Sequence, residues 1–470
     1  MRRLVIPLLA AYSASFVALG ISYIYCSKLL TPAEFGAYTM ALAVGAFAVL
    51  VLDGGIKVSI IKRQFDLTRD EQGGLLLALM AFAGFLLAIL AVLFLVRNKP
   101  WVDAPWGDEL VVAFAAIYIV SYPWIGISTA LLERRLEYSK IARVEALSMI
   151  VERLSPLAIL TVFKLGLMSF AIGLVAGRVT RLVLLVSLAP VAPLVREFSN
   201  TRRMFAEGLW TQVGSGAAAV RDNLHVIIIG PFFGAAWVGY YGWALQLSTL
   251  ASQAFAQVAA RIALPLAAQT LTWEQRWDTI LAQVRILAAA TAPLLAATLL
   301  LAPWIDQWYF AGKWLESLPI LALLCARMVP GVATSPLGPL LIVERGTRHY
   351  ALANVVWSGA EFAAGAGAAY CLGRRGLAYS WAVTAWVGMA ALIWVLRQDF
   401  VHRFLQVCTA VLNTPAVGIS VAWAVAGIGW VGVGRLGTNP MLSSVASICV
   451  VVSCVALDRR LRSALVGRTM

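Results

Sequence analysis

Residues 73–96 read GGLLLALMAFAGFLLAILAVLFLV, twenty-four consecutive residues without a charged side chain. A helix needs about 20 apolar residues to cross the hydrocarbon core of a bilayer, because it rises about 1.5 Å per residue. This stretch therefore predicts a membrane-spanning helix. Similar apolar runs with short polar breaks recur along the chain and predict fourteen helices. Their centres lie near residues 16, 46, 85, 120, 152, 178, 219, 248, 291, 330, 361, 387, 421 and 449.

The composition indicates an all-α polytopic membrane protein. Of the 470 residues, 61% are hydrophobic and 13% are charged, whereas about 25% are charged in soluble domains. The mean hydropathy is +0.84, and these values exclude a soluble globular protein. The net charge of +14 does not indicate a nucleic-acid partner, because the basic residues are scattered between apolar blocks. The six cysteines lack metal-ligand spacing, and we expect no metal and no cofactor.

The distribution of basic residues predicts the orientation of the chain. If both termini lie in the cytoplasm, the cytoplasmic connections carry 24 Lys and Arg residues, and the outer connections carry 8. Cytoplasmic loops of membrane proteins carry an excess of these residues. The threefold bias therefore predicts a multi-pass protein with both termini in the cytoplasm.

Three short matches indicate an internal repeat. They pair Gly36-Ala-Tyr-Thr-Met-Ala-Leu42 with Gly239-Tyr-Tyr-Gly-Trp-Ala-Leu245, Glu133-Arg134 with Glu344-Arg345, and Gly166-Leu167 with Gly376-Leu377. The matches keep one order and nearly one offset, which predicts two six-helix repeats over residues 1–200 and 201–400. Repeats with an even number of helices share one orientation and are typical of transporters with a central cavity. Residues 401–470 would form a two-helix extension and a cytoplasmic tail.

Five arginines lie near the middle of predicted membrane helices and form the candidate substrate-binding set. A charge at that depth costs about 2.5 to 3.5 kcal/mol, so it is retained where it lines a polar cavity or pairs inside the bundle. Guanidinium groups bind phosphate oxygens bidentately and stay protonated. The set therefore predicts an anionic substrate inside the membrane. Its members are Arg153, Arg178, Arg181, Arg221 and Arg327.

Four further polar residues at similar depth are candidates for coupling transport to an ion gradient: Glu152, Asp222, His225 and Glu361. Each has a structural alternative, namely an ion pair with an arginine or a hydrogen bond that ties two helices. Arg181 has the alternative of extending toward the cytoplasmic interface. Arg327 precedes Pro330, and two more prolines follow in the same helix, so we expect that helix to be broken and to line a cavity.

Two stretches resemble a known family. Residues 30–38, LTPAEFGAY, precede an apolar helix that ends at Asp53 and resemble the opening helix pair of the bacterial polysaccharide flippases. These flippases belong to the multidrug/oligosaccharidyl-lipid/polysaccharide exporter superfamily. Residues 222–241 resemble the family's seventh helix and the turn that follows it. One departure is that the family often has Asp five residues before the glycine, where this chain has His225.

The resemblance implies a flippase that moves a polyprenyl-diphosphate-linked oligosaccharide from the cytoplasmic to the outer leaflet of the bacterial inner membrane. It implies alternating access driven by a proton or sodium gradient, with membrane lipid, a polysaccharide polymerase and export proteins as partners. A peptidoglycan-precursor flippase and a multidrug/cation antiporter of the same superfamily remain alternatives. We expect a transporter rather than an enzyme and no catalytic residues, because the chain has no Asp-x-Asp motif and no long outer connection.

Overall fold

A computed structural model describes residues 17–53, 55–56, 60, 67–96, 107–135, 137–191, 199–224, 226, 232–250, 272–396 and 399–412. Within these ranges every regular element is a helix. Eight of the helices are long and apolar enough to cross a membrane. The predicted class, an all-α polytopic membrane protein, is confirmed.

The helices of the described residues are numbered here in chain order. They are α1 Val17–Leu29, α2 Pro32–Asp53, α3 Arg69–Val96, α4 Gly107–Arg134, α5 Tyr138–Phe163, α6 Met168–Leu188, α7 Ser199–Ala219, α8 235–250, α9 Trp273–Tyr309, α10 Leu318–Arg345, α11 Thr347–Leu372, α12 Arg374–Val395 and α13 Phe400–Leu412. The predicted centres of helices two to twelve fall inside α2 to α12. The centres near residues 16, 421 and 449 lie outside the described ranges, so the number fourteen stays a prediction.

Two of the membrane helices begin with a reciprocal hydrogen-bond motif that the sequence encodes as Thr-x-x-Glu. At α2, the Glu34 carboxylate accepts from the Thr31 backbone N–H at 2.8 Å, and Thr31 Oγ1 accepts from the Glu34 N–H at 3.3 Å. At α3, Thr68 and Glu71 make the same two bonds at 3.0 and 3.2 Å. Each motif satisfies amide groups that have no partner inside the helix. These motifs therefore fix where α2 and α3 begin.

The chain packs as two compact units, Met1–Gly242 and Trp243–Met470. The boundary between the units falls inside α8. The repeat boundary that the sequence predicts at residue 200 stays a prediction.

Within the first unit, α2 and α8 cross with their backbones in contact. A Cβ atom added to Gly36 would overlap the carbonyl oxygen of Ala235 and lie 2.9 Å from the backbone nitrogen of Gly239. A Cβ atom added to Gly239 would overlap the carbonyl oxygen of Pro32. Small residues at helix crossings let backbones approach closely in membranes. Gly36 and Gly239, which the internal repeat aligns with each other, thus lie together at this crossing.

In the second unit, α9 has 37 residues, which is about 55 Å of helix and more than a bilayer core requires. Its first turns are tied to α13. The Arg403 guanidinium donates to both carboxylate oxygens of Glu274 at 2.7 and 2.9 Å, and it lies 5.2 Å from a Trp277 ring centroid. The Trp277 indole N–H donates to Gln406 at 2.7 Å. These contacts connect α13, the helix that follows the second predicted repeat, to the start of α9.

The expected break in the helix that carries Arg327 is wrong. α10 runs without interruption from Leu318 to Arg345 and includes Pro330, Pro336 and Pro339. Each proline removes one backbone hydrogen bond. Membrane helices tolerate such losses because neighbouring helices and small local adjustments satisfy the freed groups. Proline content alone therefore did not indicate a discontinuous helix.

Candidate functional site

The packing of α5 against α6 creates the site in the first unit. α6 carries Gly173 and Gly177, spaced as in the Gly-x-x-x-Gly motif that brings membrane helices close together. A Cβ atom added to Gly173 would overlap the Pro156 ring, and one added to Gly177 would overlap the Cβ atom of Glu152. The two glycines therefore let α5 approach α6 closely. This approach brings the carboxylates of α5 to the arginines of α6.

Arg153 on α5 is held by a tyrosine and a carboxylate. Its guanidinium donates a hydrogen bond to the Tyr38 hydroxyl on α2 and lies 3.5 Å from the neighbouring Glu152 carboxylate. The side chains of Arg153 and Glu152 are 16% and 14% exposed. The Tyr38 ring packs on Phe170 with centroids 4.6 Å apart. Arg153 and Glu152, predicted as a substrate residue and a coupling residue, are therefore partners in one network.

Arg181 on α6 pairs with a carboxylate that sequence reasoning did not select. One of its terminal nitrogens lies 3.3 Å from Glu145 Oε1 on α5, and the two side chains are 26% and 17% exposed. Its Nε is buried without a hydrogen-bond partner in the described residues. Among the described residues, Glu145 is the carboxylate in contact with Arg181, and the Arg181 side chain remains partly accessible.

Arg178 differs from the other two arginines, because it contacts no carboxylate in the part of the chain that the structure describes. Its guanidinium carbon lies 3.6 Å from the ring centroid of Tyr118 on α4. Tyr118 is itself packed on Gly45 of α2, where an added Cβ atom would come within 2.8 Å of the ring. A cation over an aromatic face is stabilised without losing its charge. Arg178 therefore presents a positioned positive charge near the middle of α6.

A tyrosine and a carboxylate extend this polar region along α2 and α4. The Tyr122 hydroxyl donates a hydrogen bond to the Asp53 carboxylate at the end of α2. Tyr122 lies four residues, about one turn, after Tyr118 on the same helix. The cluster thus joins residues of α2, α4, α5 and α6 within the first unit.

The remaining predicted residues lie elsewhere. Arg221 and Asp222 are neighbours in a π-helical turn, Val220–Leu224, that continues α7, and they form an ion pair at 3.2 Å. In the second unit, Arg327 of α10 pairs with Glu361 of α11 at 3.1 Å, and their side chains are 9% and 2% exposed. His225 lies outside the described residues. Of the predicted set, the structure brings together Arg153, Arg178, Arg181 and Glu152.

The residues that sequence reasoning missed are the partners of the arginines, namely Tyr38, Tyr118 and Glu145. One signal was available for Glu145. It lies seven residues before Glu152, which is two helical turns, so both carboxylates share one face of α5. Tyr38 belongs to the quoted stretch of residues 30–38, but nothing in the sequence indicated its contact with Arg153, and no comparable signal marked Tyr118. Among the described residues no group of His, Cys, Asp and Glu side chains is arranged to hold a metal ion.

Comparison with known proteins identifies the family. The family model described as polysaccharide biosynthesis protein matches residues 26–319, which is more than half of the chain. The chain belongs to this family. The match confirms the role in polysaccharide biosynthesis that the resemblance implied, and it extends across both units.

Relatives and solved structures agree with this family assignment. The chain is 20% identical over 340 residues to an uncharacterized membrane protein in the cps region of Klebsiella pneumoniae, covering 71% of this chain and 70% of that protein. It is 23% identical over 306 residues to the teichuronic acid biosynthesis protein TuaB of Bacillus subtilis (strain 168), covering 63% and 62%. The fold is similar to that of the lipid II flippase MurJ in its inward closed conformation, with a TM-score of 0.70, 12% identity and full coverage of both chains. This family member therefore has a fold found in membrane transporters, the class that the sequence predicts.

Proposed function

We propose that the protein is a flippase for a lipid-linked oligosaccharide, and that it moves a polyprenyl-diphosphate-linked repeat unit from the cytoplasmic to the outer leaflet of the bacterial inner membrane. The observation that carries the proposal is Arg178, a guanidinium in a membrane helix that stacks on Tyr118 and contacts no carboxylate among the described residues. A cation at this depth is retained where it has a function. The membership in a polysaccharide biosynthesis family supplies the substrate class.

The chemistry of the site fits a diphosphate group. Arg178 and Arg181 lie three residues apart, so their side chains leave the same face of α6, about 5 to 6 Å apart at Cβ. A diphosphate offers oxygens on two adjacent phosphorus atoms and carries negative charge at every physiological pH. Guanidinium groups are planar and bind such oxygens through two parallel hydrogen bonds. The aromatic side chains beside them provide faces for a sugar or lipid moiety.

The proposal predicts the fate of the substrate in cells that lack the protein. Lipid-linked repeat units should accumulate on the cytoplasmic face of the inner membrane, where a water-soluble glycosidase added to intact spheroplasts does not reach them. Wild-type protein expressed from a plasmid should restore glycan that the added glycosidase can reach from outside. Accumulation of the units on the outer face would contradict the proposed direction.

The same experiment separates the two alternatives. A peptidoglycan-precursor flippase, which the MurJ-like fold keeps open, would lead to accumulated peptidoglycan precursor and lysis instead of loss of a surface polysaccharide. A multidrug/cation antiporter would change sensitivity to cationic compounds and leave the lipid-linked units unaffected. The positive charge of Arg178, which contacts no carboxylate among the described residues, disfavours the antiporter, because a cationic substrate requires an acidic site.

The proposed orientation, with both termini in the cytoplasm, is tested by cysteine labelling. In a variant without native cysteines, Glu316→Cys in the connection before α10 should react with a membrane-impermeant thiol reagent added to intact cells. Arg348→Cys, near the start of α11, should react after permeabilisation only. Both positions are exposed, so a difference in labelling reports the side of the membrane. The reverse pattern would contradict the orientation.

We further infer that an ion gradient drives the cycle by alternating access, since transport against a substrate gradient requires an energy source. A group that changes its charge or ion occupancy can bias the inward and outward states differently. Glu152, Asp222, His225 and Glu361 remain the candidates, and a polysaccharide polymerase and export proteins remain the proposed partners. In proteoliposomes, an imposed proton or sodium gradient should accelerate flipping of the lipid-linked unit. Equal rates with and without both gradients would contradict the coupling.

A further inference from the structure

The ion pair between Glu145 and Arg181 is longer than the pair between Arg403 and Glu274 in the second unit. It consists of one contact at 3.3 Å, and both side chains are partly exposed. In contrast, Arg403 donates two hydrogen bonds to Glu274 at 2.7 and 2.9 Å. Strong charge-assisted hydrogen bonds are about 2.7 to 2.9 Å long and are often bidentate. Arg181 therefore keeps hydrogen-bonding capacity that Glu145 does not use.

The position of Glu145 makes it a competitor for an anion that binds to α6. A diphosphate that bridges Arg178 and Arg181 would bind a guanidinium that lies 3.3 Å from Glu145 Oε1, so the carboxylate would lie beside the bound anion. A diphosphate can bind both arginines at once and carries more negative charge than a single carboxylate. The diphosphate therefore displaces the carboxylate, and Glu145 then stays nearby as a negative charge that repels the bound anion.

We propose that Glu145 is a displaceable counter-ion that holds Arg181 in the empty carrier and weakens diphosphate binding enough to permit release. This inference rests on the proposed function and deepens it, since it names a residue that sets the affinity of the same site. Glu145 compensates the charge of Arg181 in the empty state, which lowers the cost of a cation in the membrane. In the loaded state the same carboxylate favours dissociation. A carrier needs both properties, because binding that is too tight prevents turnover.

The test measures binding and turnover separately in the purified full-length protein in nanodiscs, with polyprenyl diphosphate as the probe. Glu145→Gln keeps the shape of the side chain and removes the charge. It should tighten the Kd for polyprenyl diphosphate by about fivefold, the scale of a partly exposed charge pair. It should also lower the maximal flipping rate in proteoliposomes, because release becomes slower. Glu145→Asp, which keeps the charge, should behave more like the wild type than Glu145→Gln.

Two further variants distinguish this role from a structural one. In the Arg181→Ala background, Glu145→Gln should tighten the Kd less than in the wild type, because the competition for Arg181 is gone and only the repulsion between the carboxylate and the anion remains. Glu344→Gln, which removes the carboxylate that pairs with Arg276 in the second unit, should leave the Kd unchanged. An unchanged or weaker Kd in Glu145→Gln would overturn the inference while leaving the proposed function intact. Failure of the wild type to bind polyprenyl diphosphate would overturn both.

Discussion

Replacing Arg178 by alanine should reduce export of the lipid-linked glycan by about 100-fold, because removing the guanidinium from a charged, hydrogen-bonded contact with the diphosphate costs about 3 kcal/mol. Within the cluster, the Arg178 guanidinium stacks on the Tyr118 ring and contacts no carboxylate among the described residues. Its removal therefore leaves no local carboxylate without a partner. The variant should therefore insert and fold normally. Surface glycan and membrane-inserted protein, measured in the same cells, check this expectation.

Two variants control for the chemistry of this substitution. Arg178→Lys keeps the charge but loses the planar, bidentate geometry and the stacking on Tyr118, so it should restore activity only in part. Arg143→Ala removes an exposed arginine of α5 that bonds a backbone carbonyl one turn away, and it should transport like the wild type. Full activity of Arg178→Ala would remove Arg178 from the mechanism and would contradict the proposed phosphate site.

The positions of the membrane helices follow from local sequence, whereas the partners of the arginines do not. The apolar run in α3 is long enough to predict a span regardless of its neighbours. Similarly, the mid-helix position of Arg178 and Arg181 follows from counting residues within α6. The carboxylate that pairs with Arg181 lies 36 residues away on another helix, and the tyrosine that binds Arg153 lies 115 residues away. Local periodicity contains no information about contacts at such separations.

Two local patterns in the sequence had different predictive value. The three prolines of α10 suggested a broken helix, but the structure shows that the bundle accommodates them within one continuous helix. The glycine pair Gly173 and Gly177, from which no prediction was made, is the more informative pattern, because small residues four apart identify the face of a helix that packs closely. That face is next to Glu152, so this motif locates the interface at which the charged cluster forms.

Replacing Gly36 by alanine should destabilise the protein by about 2 to 3 kcal/mol, the upper part of the range for overpacked sites. The added methyl group would overlap the backbone carbonyl of Ala235 in α8. A backbone atom cannot rotate away as a flexible side chain can, so α2 and α8 must separate. Gly239→Ala should have a similar effect from the other side of the same crossing. The melting temperature of the purified protein in detergent, together with its abundance in the membrane, checks both expectations.

Gly84 provides the matched control for this substitution, because it lies inside α3 and an added Cβ atom there meets nothing within 4 Å. Alanine is favoured over glycine in a helix interior by about 1 kcal/mol, so Gly84→Ala should leave the melting temperature unchanged or raise it. The same substitution should thus lower the melting temperature at Gly36 and not at Gly84, because helix propensity acts at both positions and the backbone contact acts only at Gly36. Combining Gly36→Ala with Gly239→Ala should cost less than the sum of the single variants, because the first substitution already separates the helices that the second would push apart. Equal melting temperatures for Gly36→Ala and Gly84→Ala would show that α2 and α8 do not cross at these glycines.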